Sequence, residues 1–230
     1  MSDPIPPLIT LEEHFIAPDL FDELSDLYGE QLRNLPDVGA RLRDVGPLRL
    51  ADMDANGVAL QVVSHGGGYG PGAALSLGSS GFGWHQETGL AVLRLFAAGL
   101  FDAVPRLKII LGHFGEMLPF VMERVEKLSA RWGARDRSWR RVWEDNVWVT
   151  TSGVWGLAPL ACVLRNTPVD HVLYSVDYPF ERNENGLAWV RELRDSGMVT
   201  PEELDKIAYR NAEKLLRVKA PAVAGEGKQS

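Results

Sequence analysis

The sequence has little of several features that would place it in a specialised class of protein. It holds one cysteine, Cys162, in the apolar run LAPLACVL, so an internal disulfide is excluded and a reducing compartment is favoured. The net charge is −7 without long runs of like charge, which argues against nucleic acid or an anionic membrane as a partner. No apolar stretch reaches the ~18 residues that cross a bilayer, and the N-terminus lacks a signal-peptide pattern. We therefore expect a soluble, cytoplasmic protein.

Short apolar runs alternate with helical patterns, which is typical of an α/β fold with a largely parallel sheet. The 230 residues suit one domain, which we expect over 1–218, followed by a disordered tail over 219–230. Helices are predicted over 18–35, 87–101 and 116–132, and TPEEL predicts a last helix with Thr200 and Glu203 in a capping box. Five strands are predicted: Leu8–His14, Val58–Ser64, Leu107–Leu111, Val147–Thr151 and His171–Ser175.

Polar side chains follow most of these strands, at the sheet edge where ligands of parallel sheets gather. In ITLEEHF, side chains two apart share a face, so Glu12 and His14 converge while Glu13 points away. A carboxylate beside an imidazole is half of a divalent-metal site, although such a pair is also common as a polar surface cluster.

Two later strand ends add further candidates. His113 follows the strand in IILGHFGEMLPF, and Glu116 three residues on can accept from the imidazole and fix its tautomer. A structural histidine held by the backbone is the alternative. Asp177 follows the strand in VLYSVDYPFE, and Pro179 disfavours an immediate helix start. Asp177 is therefore predicted to act as a ligand or proton carrier rather than as a helix cap.

These motifs, in this order, resemble the amidohydrolase superfamily in its branch of nonoxidative hydroxybenzoate decarboxylases, such as γ-resorcylate and 2,3-dihydroxybenzoate decarboxylases. The segments that carry the resemblance are TLEEHF, RLADMDANGVALQVVS, GWHQETGLAVLRLFAAGLFDAVPRLKIILGHFGEMLPF, NVWVTTSG and VLYSVDYPFE. They cover roughly 1–64 and 82–218 of the chain.

The resemblance implies a TIM-barrel-derived fold with one divalent metal ion, Mn, Zn or Mg. It implies Glu12, His14 and Asp177 as metal ligands, and Asp177 also as proton donor. His113 would lie near an aromatic carboxylate substrate, with Glu116 as its partner. An aromatic wall for the ring is predicted from Phe15, Trp84 and Tyr178, although ordinary packing would also account for these side chains.

The chain departs from the family pattern in its middle. A (β/α)8 barrel typically needs about 250 residues, and the glycine-rich bridge over 65–81 stands where strands three to five belong. An incomplete barrel of about five parallel strands is therefore predicted. The family's Tyr-Leu-His-Pro ligand motif is missing. His65 and His85 are possible substitute ligands, whereas His171 lies at the wrong end of its strand.

An open sheet exposes its edges. Oligomerisation, refolding into an open α/β layer, or a natural or constructed deletion that folds poorly are the three alternatives, and a homo-oligomer is the expected assembly. Three functions stay open. The chain is a metal-dependent decarboxylase of a hydroxylated aromatic acid, a metal-dependent hydrolase of a lactone, ester or amide, or a catalytically impaired remnant that acts as a binding protein.

Overall fold

The computed structural model describes residues 4–17, 20–21, 32, 37–65 and 80–221, except for the side chains of Ser64 and His65. Two compact units are present: Met1–Pro71 together with Leu173–Ser230, and Gly72–Val172. Most of the predicted helix over 18–35 lies outside the described residues, as do 66–79 of the predicted bridge and 222–230 of the predicted tail. A single domain over 1–218 stays a prediction.

The five strands expected from the sequence are all present, with ends shifted by one or two residues. They lie in two sheets, one of β1 and β2 and one in the order β3–β4–β5. The β1–β2 and β3–β4 pairs are parallel, and the described strands do not close into a barrel, in agreement with the incomplete barrel expected. The strands are β1 Leu8–Phe15, β2 Val58–His65, β3 Ile109–Leu111, β4 Val147–Thr150 and β5 Val172–Leu173.

Helices connect the strands and complete both units. Within the described residues, none of them is long and apolar enough to cross a membrane. The α-helices are α1 Val38–Arg43, α2 Pro47–Ala55, α3 Gly83–Ala97, α4 Leu100–Ala103, α5 Met122–Ser129, α6 Trp139–Asn146, α7 Leu157–Asn166, α8 Asn183–Ser196, α9 Pro201–Asp205 and α10 Asn211–Leu216. Tighter 3₁₀ turns occupy Leu118–Val121, Ala130–Trp132 and Val169–His171, and Lys206–Arg210 is a π-helical turn.

Two predicted helices differ from the structure. The helix predicted over 87–101 begins earlier, at Gly83, and is interrupted at Gly99, where φ is +79°. The helix predicted over 116–132 is broken into a 3₁₀ turn, α5 and a second 3₁₀ turn. Helical structure also begins only at Leu118, because Glu116 and Met117 have φ of +53° and +65°, a left-handed backbone that cannot be part of a right-handed helix. The predicted capping box of Thr200 and Glu203 is confirmed.

In the first unit, β1 packs on α1. Ile16, just past β1, forms a buried cluster with Val38 and Leu42, and Phe180 covers its side. The backbone N–H of Ile16 donates to the carbonyl of Leu42 at 2.8 Å. Apolar residues one turn apart on α1 thus fix the direction in which the chain leaves β1.

Glu13 joins β1 to the segment 175–178 of the same unit. Its fully buried carboxyl group accepts hydrogen bonds from Ser175 Oγ at 3.0 Å, from the Val176 N–H at 3.0 Å and from the Tyr178 N–H at 2.6 Å. The His14 N–H in turn donates to the Tyr178 carbonyl at 2.7 Å. Burial raises the pKa of Glu13 to about 8, against the hydrogen bonds, which lower it. Segment 175–178 is therefore held to β1 by side-chain and backbone hydrogen bonds together.

Arg49 supports the same strand end from α2. Its buried guanidinium donates to the His14 carbonyl at 2.6 Å and to Gln61 Oε1 at 2.8 Å. It also lies over the Tyr178 ring, 4.5 Å from the centroid. One side chain thus contacts β1, β2 and segment 175–178, so that the end of β1 is held from two sides.

Helix α8 packs closely against the core of the first unit at Gly186. A methyl group at Gly186 would overlap the Tyr174 hydroxyl and lie 2.9 Å from Val176 Cγ2. Tyr174 itself is fully buried. The absence of a side chain at 186 therefore permits the close approach of the helix to the chain beyond β5.

The core of the second unit is rich in tryptophan. Trp139 and Trp143 on α6 are fully buried, and the Trp139 ring meets Phe96 edge-on at 5.2 Å. The Trp143 indole N–H donates to Thr167 Oγ1 at 3.0 Å. Because all four residues of β4 are buried, this strand lies in the interior of the unit and presents its carboxyl end at Thr150.

We expect Gly186→Ala to lower the free energy of unfolding by about 1–3 kcal/mol, since the added methyl would overpack the core. The matched control is Gly39→Ala on α1, whose methyl would meet Phe21 and Leu32 at ordinary distances of 3.4 and 3.6 Å. That change should be neutral or stabilising by up to about 1 kcal/mol. Chemical denaturation of both variants is the measurement, and equal effects would contradict the close approach.

We also expect the free energy of unfolding to fall as the pH rises from 5 to 8. The folded protein keeps a proton on Glu13 up to about pH 8, whereas the unfolded chain releases it near its ordinary value of 4.5, so the unfolded state gains relative stability across this range. Glu13→Gln should make the slope shallower by up to about 1.4 kcal/mol per pH unit. Chemical denaturation at several pH values, with a chelator present, measures how the free energy of unfolding depends on pH. The exposed Glu192→Gln is the control, and unchanged slopes in Glu13→Gln would refute the expectation.

Candidate functional site

The end of β1 brings two of the predicted metal ligands into contact. His14 Nε2 lies 3.1 Å from Asp177 Oδ1, with the two side chains 23% and 17% exposed. Asp177 has φ of +76°, and its neighbours 175, 176 and 178 are the residues bonded to Glu13. The short strand-end motif and a segment more than 160 residues away thus form one pair of acid–base groups.

Negative charge dominates the surroundings of His14. Burial lowers the pKa of His14, but the hydrogen bond and charge of Asp177, together with Glu12 and Glu13, outweigh it and raise the pKa above its ordinary value. The negative groups around His14 therefore favour positive charge at this position, either as a proton on the imidazole or as a metal cation next to it.

Glu12 lies on the same strand, partly exposed, whereas Glu13 is buried. Burial of Glu13 between two partly exposed residues agrees with its predicted direction away from Glu12 and His14, whereas the convergence of Glu12 and His14 stays a prediction. One imidazole and two carboxylates suit Mn, Zn or Mg in chemical type. His14 and Asp177 are already in contact, and Glu12 contributes to the negative charge at His14. That Glu12 completes a ligand set with them stays a prediction.

One aromatic ring packs against His14 of this pair, and it is not one of those expected. Phe180, which sequence reasoning missed, lies 5.6 Å from the His14 ring. Tyr178 is only 1% exposed, and its ring and hydroxyl contact Arg41 and Arg49. Phe15 ends β1 and is partly exposed. The roles of Phe15 and Tyr178 as pocket walls stay predictions.

A second cluster lies in the second unit, where Glu116 contacts two histidines. His85 Nδ1 lies 2.7 Å from one carboxylate oxygen and His113 Nδ1 lies 2.9 Å from the other. The two imidazole centroids are 4.5 Å apart. In the described part of the chain, these are the three metal-ligating side chains whose donor atoms all lie within 4.8 Å of one another. The predicted pairing of His113 with Glu116 is present, and its extension to His85 was missed.

A left-handed turn holds His113 and Glu116 in place. The φ angles are +47° at His113, +56° at Phe114, +84° at Gly115, +53° at Glu116 and +65° at Met117. For residues other than glycine, this conformation costs roughly 1–2 kcal/mol each. Such a run of unfavourable backbone is typical of functional segments that their surroundings force into shape.

Close packing of the turn explains how it persists. A methyl group at Gly115 would lie 3.0 Å from both Trp143 and Val149, and one at Gly89 on α3 would lie 2.8 Å from the Glu116 carbonyl oxygen. The His113 N–H also donates to Ser152 Oγ at 3.4 Å. Two glycines therefore permit an approach that no larger residue would allow.

Both imidazoles form a hydrogen bond with the Glu116 carboxylate, and these bonds change the pKa of Glu116. Burial raises the pKa of Glu116, but the hydrogen bonds from His113 and His85 outweigh it, so the pKa is lowered. The hydrogen bond between His85 and Glu116 raises the pKa of His85. Glu116, 6% exposed, is therefore an ionised carboxylate held between two nitrogen atoms.

The other predicted residues lie elsewhere. Trp84 is partly buried on α3, beside His85 in the sequence. The His65 side chain lies outside the described residues, so its role as a substitute ligand stays a prediction. His171 stacks on Trp148 and bonds the Val147 carbonyl at 2.8 Å, which fits its exclusion as a ligand. Glu13 and Arg49 were missed; the doubled glutamate in EEHF was the available signal for Glu13.

Comparison with curated proteins finds decarboxylases. Decarboxylase orsB of Emericella nidulans is 58% identical over 155 residues, which are 66% of this chain and 47% of that protein. The gamma-resorcylate decarboxylase of Rhizobium radiobacter is 36% identical over 139 residues, 58% of this chain and 41% of that protein. The chain thus spans less than half the length of these relatives.

Solved structures show the same fold. The crystal structure of 2,6-dihydroxybenzoate decarboxylase complexed with 2,6-dihydroxybenzoate aligns with a TM-score of 0.79 at 20% identity, over 93% of this chain and 100% of that chain. The 5-carboxyvanillate decarboxylase of Sphingomonas paucimobilis aligns with a TM-score of 0.77 at 19% identity, over 94% and 100%.

The amidohydrolase family model matches residues 49–218, well over half of the chain. This range contains the His85–His113–Glu116 cluster and Asp177, and the similar proteins confirm the resemblance to hydroxybenzoate decarboxylases. The chain belongs to the amidohydrolase family.

Proposed function

We propose that the protein is a metal-dependent, nonoxidative decarboxylase of a hydroxylated aromatic carboxylic acid. The contact between His14 and Asp177 at the end of β1 carries the proposal, because it places a metal-ligating imidazole beside a carboxyl group that can carry a proton. Support comes from the similar proteins, which are named as decarboxylases, and from the shared fold.

Glu12, His14 and Asp177 would hold the metal ion. Similar decarboxylase structures contain bound manganese, and Zn or Mg would suit the same donor types. When bound, the metal supplies positive charge that anchors the carboxylate and the ortho-hydroxyl group of the substrate. Glu13 and Arg49 are positioning residues, because they hold Asp177 and the end of β1 without themselves being ligands.

Asp177 holds the proton that the reaction needs. A new C–H bond forms at the ring carbon that bears the carboxylate, and the C–C bond to the carboxylate then breaks. Its electron pair returns to the ring, which regains aromaticity, and CO₂ leaves. Protonating the ring is the costly step because aromaticity is lost there, so an acid in a fixed position is what this chemistry requires.

In the second unit, we assign substrate contact to His113. Glu116 accepts from its Nδ1 at 2.9 Å, so in the neutral imidazole the proton lies on Nδ1 and Nε2 is the basic nitrogen. An imidazole in this tautomer can accept a hydrogen bond from a substrate hydroxyl group. Phe15, Trp84 and Tyr178 remain the proposed aromatic contacts of the ring.

Two other functions have specific support. Hydrolysis of a lactone, ester or amide suits the family's name. A catalytically impaired binding protein suits the missing Tyr-Leu-His-Pro motif. A cytoplasmic homo-oligomer with a small-molecule substrate completes the proposal, and the exposed apolar side chains of Met117 and Phe120 would suit contact between copies.

We expect the purified chain to release CO₂ from at least one of 2,6-dihydroxybenzoate, 2,3-dihydroxybenzoate and 5-carboxyvanillate. Turnover should cease after chelation and return on addition of Mn²⁺, because the metal anchors the substrate. Release of CO₂ and loss of substrate absorbance are the measurements. Cleavage of a lactone or ester panel without CO₂ release would establish the hydrolase instead. If neither panel reacts in the metal-loaded protein, the binding protein is favoured.

Asp177→Asn should lower kcat by about 10²- to 10⁴-fold, since the amide cannot deliver the proton. The matched control is Asp195→Asn at the end of α8, an exposed aspartate bonded to Arg194, which should leave kcat unchanged. Metal content of both variants separates loss of the acid from loss of a ligand. An Asp177→Asn protein with undiminished kcat would exclude Asp177 as the proton donor.

A further inference from the structure

Building on the proposed function, we propose that Asp52, on α2, is a positioning residue for the acid Asp177. Its carboxylate fixes both ends of the segment 178–183, which directly follows Asp177 in the chain. One carboxylate oxygen contacts Arg41, whose guanidinium donates to the hydroxyl at the start of the segment, and the other accepts from Asn183 at its end. Asp52 thus acts through these two side chains rather than by touching the substrate.

The first contact of Asp52 is with the residue at which α8 begins. Nδ2 of Asn183 donates to Asp52 Oδ2 at 2.5 Å, and Asn183 is fully buried. Oδ1 of Asn183 has no hydrogen-bond partner within the described part of the chain. Because a buried amide depends on its few hydrogen bonds for orientation, the bond to Asp52 fixes this side chain and with it the start of α8.

The second contact of Asp52 leads to Tyr178, the neighbour of Asp177. Asp52 Oδ1 lies 3.4 Å from Arg41 Nη1, and the same nitrogen donates to the Tyr178 hydroxyl at 3.3 Å. The side chains of Asp52 and Arg41 are only 10% and 27% exposed, so solvent screens the attraction between their charges less than it would on the open surface. Asp52 therefore directs the Arg41 guanidinium toward the Tyr178 hydroxyl.

The segment depends on such contacts because it has no regular structure of its own. Residues 174–182 lie in neither a strand nor a helix. The N–H groups of Phe180 and Glu181 donate to the Asp177 carbonyl at 2.9 and 3.1 Å, and these local bonds shape a turn without fixing its direction. Hydrogen bonds to β1 restrain the turn from one side, and Asp52 restrains it from the side of α2.

A fixed segment matters because Asp177 is the proposed proton donor and lies 3.1 Å from His14. A displacement of about 1 Å in a reacting group can lower the rate by about 100-fold. Loss of the contacts of Asp52 leaves the metal ligands and the substrate contacts in the chain but allows Asp177 to move. It should therefore lower kcat more than it raises KM.

Asp52→Asn in the full chain tests this role. An amide has one acceptor oxygen and one donor nitrogen, so it can bond to Arg41 or to Asn183 but not to both. On a hydroxybenzoate that the wild-type chain decarboxylates, kcat should fall by about 10- to 100-fold, with KM and bound Mn²⁺ nearly unchanged. The matched control is Asp54→Asn, an exposed residue of the same helix, which should leave kcat unchanged.

Exchange of the two side chains should restore the contacts. In Asp52→Asn with Asn183→Asp, the amide at position 52 accepts from Arg41 and donates to the carboxylate at position 183. A carboxylate in the first turn of α8 is also favoured by the helix dipole. The double variant should regain most of the lost kcat, whereas Asn183→Asp alone, which places two carboxylates against each other, should lower kcat as Asp52→Asn does.

Hydrogen–deuterium exchange measures the same restraint without turnover. In Asp52→Asn, the N–H groups of Phe180 and Glu181 should exchange about 10-fold faster, the double variant should restore their protection, and β4 in the second unit should keep its wild-type rates. Circular dichroism and the thermal midpoint establish that each variant is folded.

Either of two results would overturn the role of Asp52: wild-type exchange at Phe180 and Glu181 in Asp52→Asn, or a double variant that keeps both the fast exchange and the low kcat. A wild-type chain that releases no CO₂ refutes the proposed function instead. The exchange rates then still decide whether Asp52 holds the segment, so the two failures are distinguishable.

Discussion

The geometry of the first unit's site depends on the hydrogen bonds of the buried Glu13 carboxyl group. Segment 175–178 follows a strand only two residues long, β5, so little regular pairing can hold it. Three hydrogen bonds to Glu13 supply that constraint. Removing a carboxyl group from water is costly unless its oxygen atoms are hydrogen-bonded. The same bonds that compensate the burial of Glu13 therefore place Asp177 against His14.

Unfavourable backbone angles are concentrated at the two clusters. In the described residues, six non-glycine positions have positive φ, and five of them are Asp177 and members of the turn 113–117. The sixth, Arg217, ends α10, where a left-handed residue is an ordinary helix cap. Strain of this kind persists only where surrounding contacts determine it. Glu13 provides such contacts for Asp177, and the packing at Gly89 and Gly115 provides them for the turn.

The two clusters differ in how they use a carboxylate. Asp177 contacts one imidazole and is partly exposed, which suits a group that exchanges protons with a substrate. Glu116 is nearly buried and contacts two imidazoles, which suits a group that orients others. The Asp177 carboxyl group is thus a partly exposed acid, and the Glu116 carboxylate is a buried group that orients two imidazoles.

The sequence by itself determined the five strands, to within two residues at their ends, and the capping box of Thr200 and Glu203. These features depend on local periodicity and on short-range hydrogen bonds. Both can be recognised within a single stretch of the sequence. The pairing of His113 with Glu116 could also be predicted, because only three residues separate them.

Only the tertiary structure decided which glutamate is buried and which histidine joins Glu116. The partners of Glu13 lie more than 160 residues along the chain, and His85 lies 31 residues from Glu116, so neither contact leaves a local pattern. The helix predicted from 116 failed for the same reason: packing against Trp143 and Val149 imposes a left-handed turn that local propensity opposes. Contacts between distant residues outweigh local preference wherever the packed core leaves one conformation for the backbone.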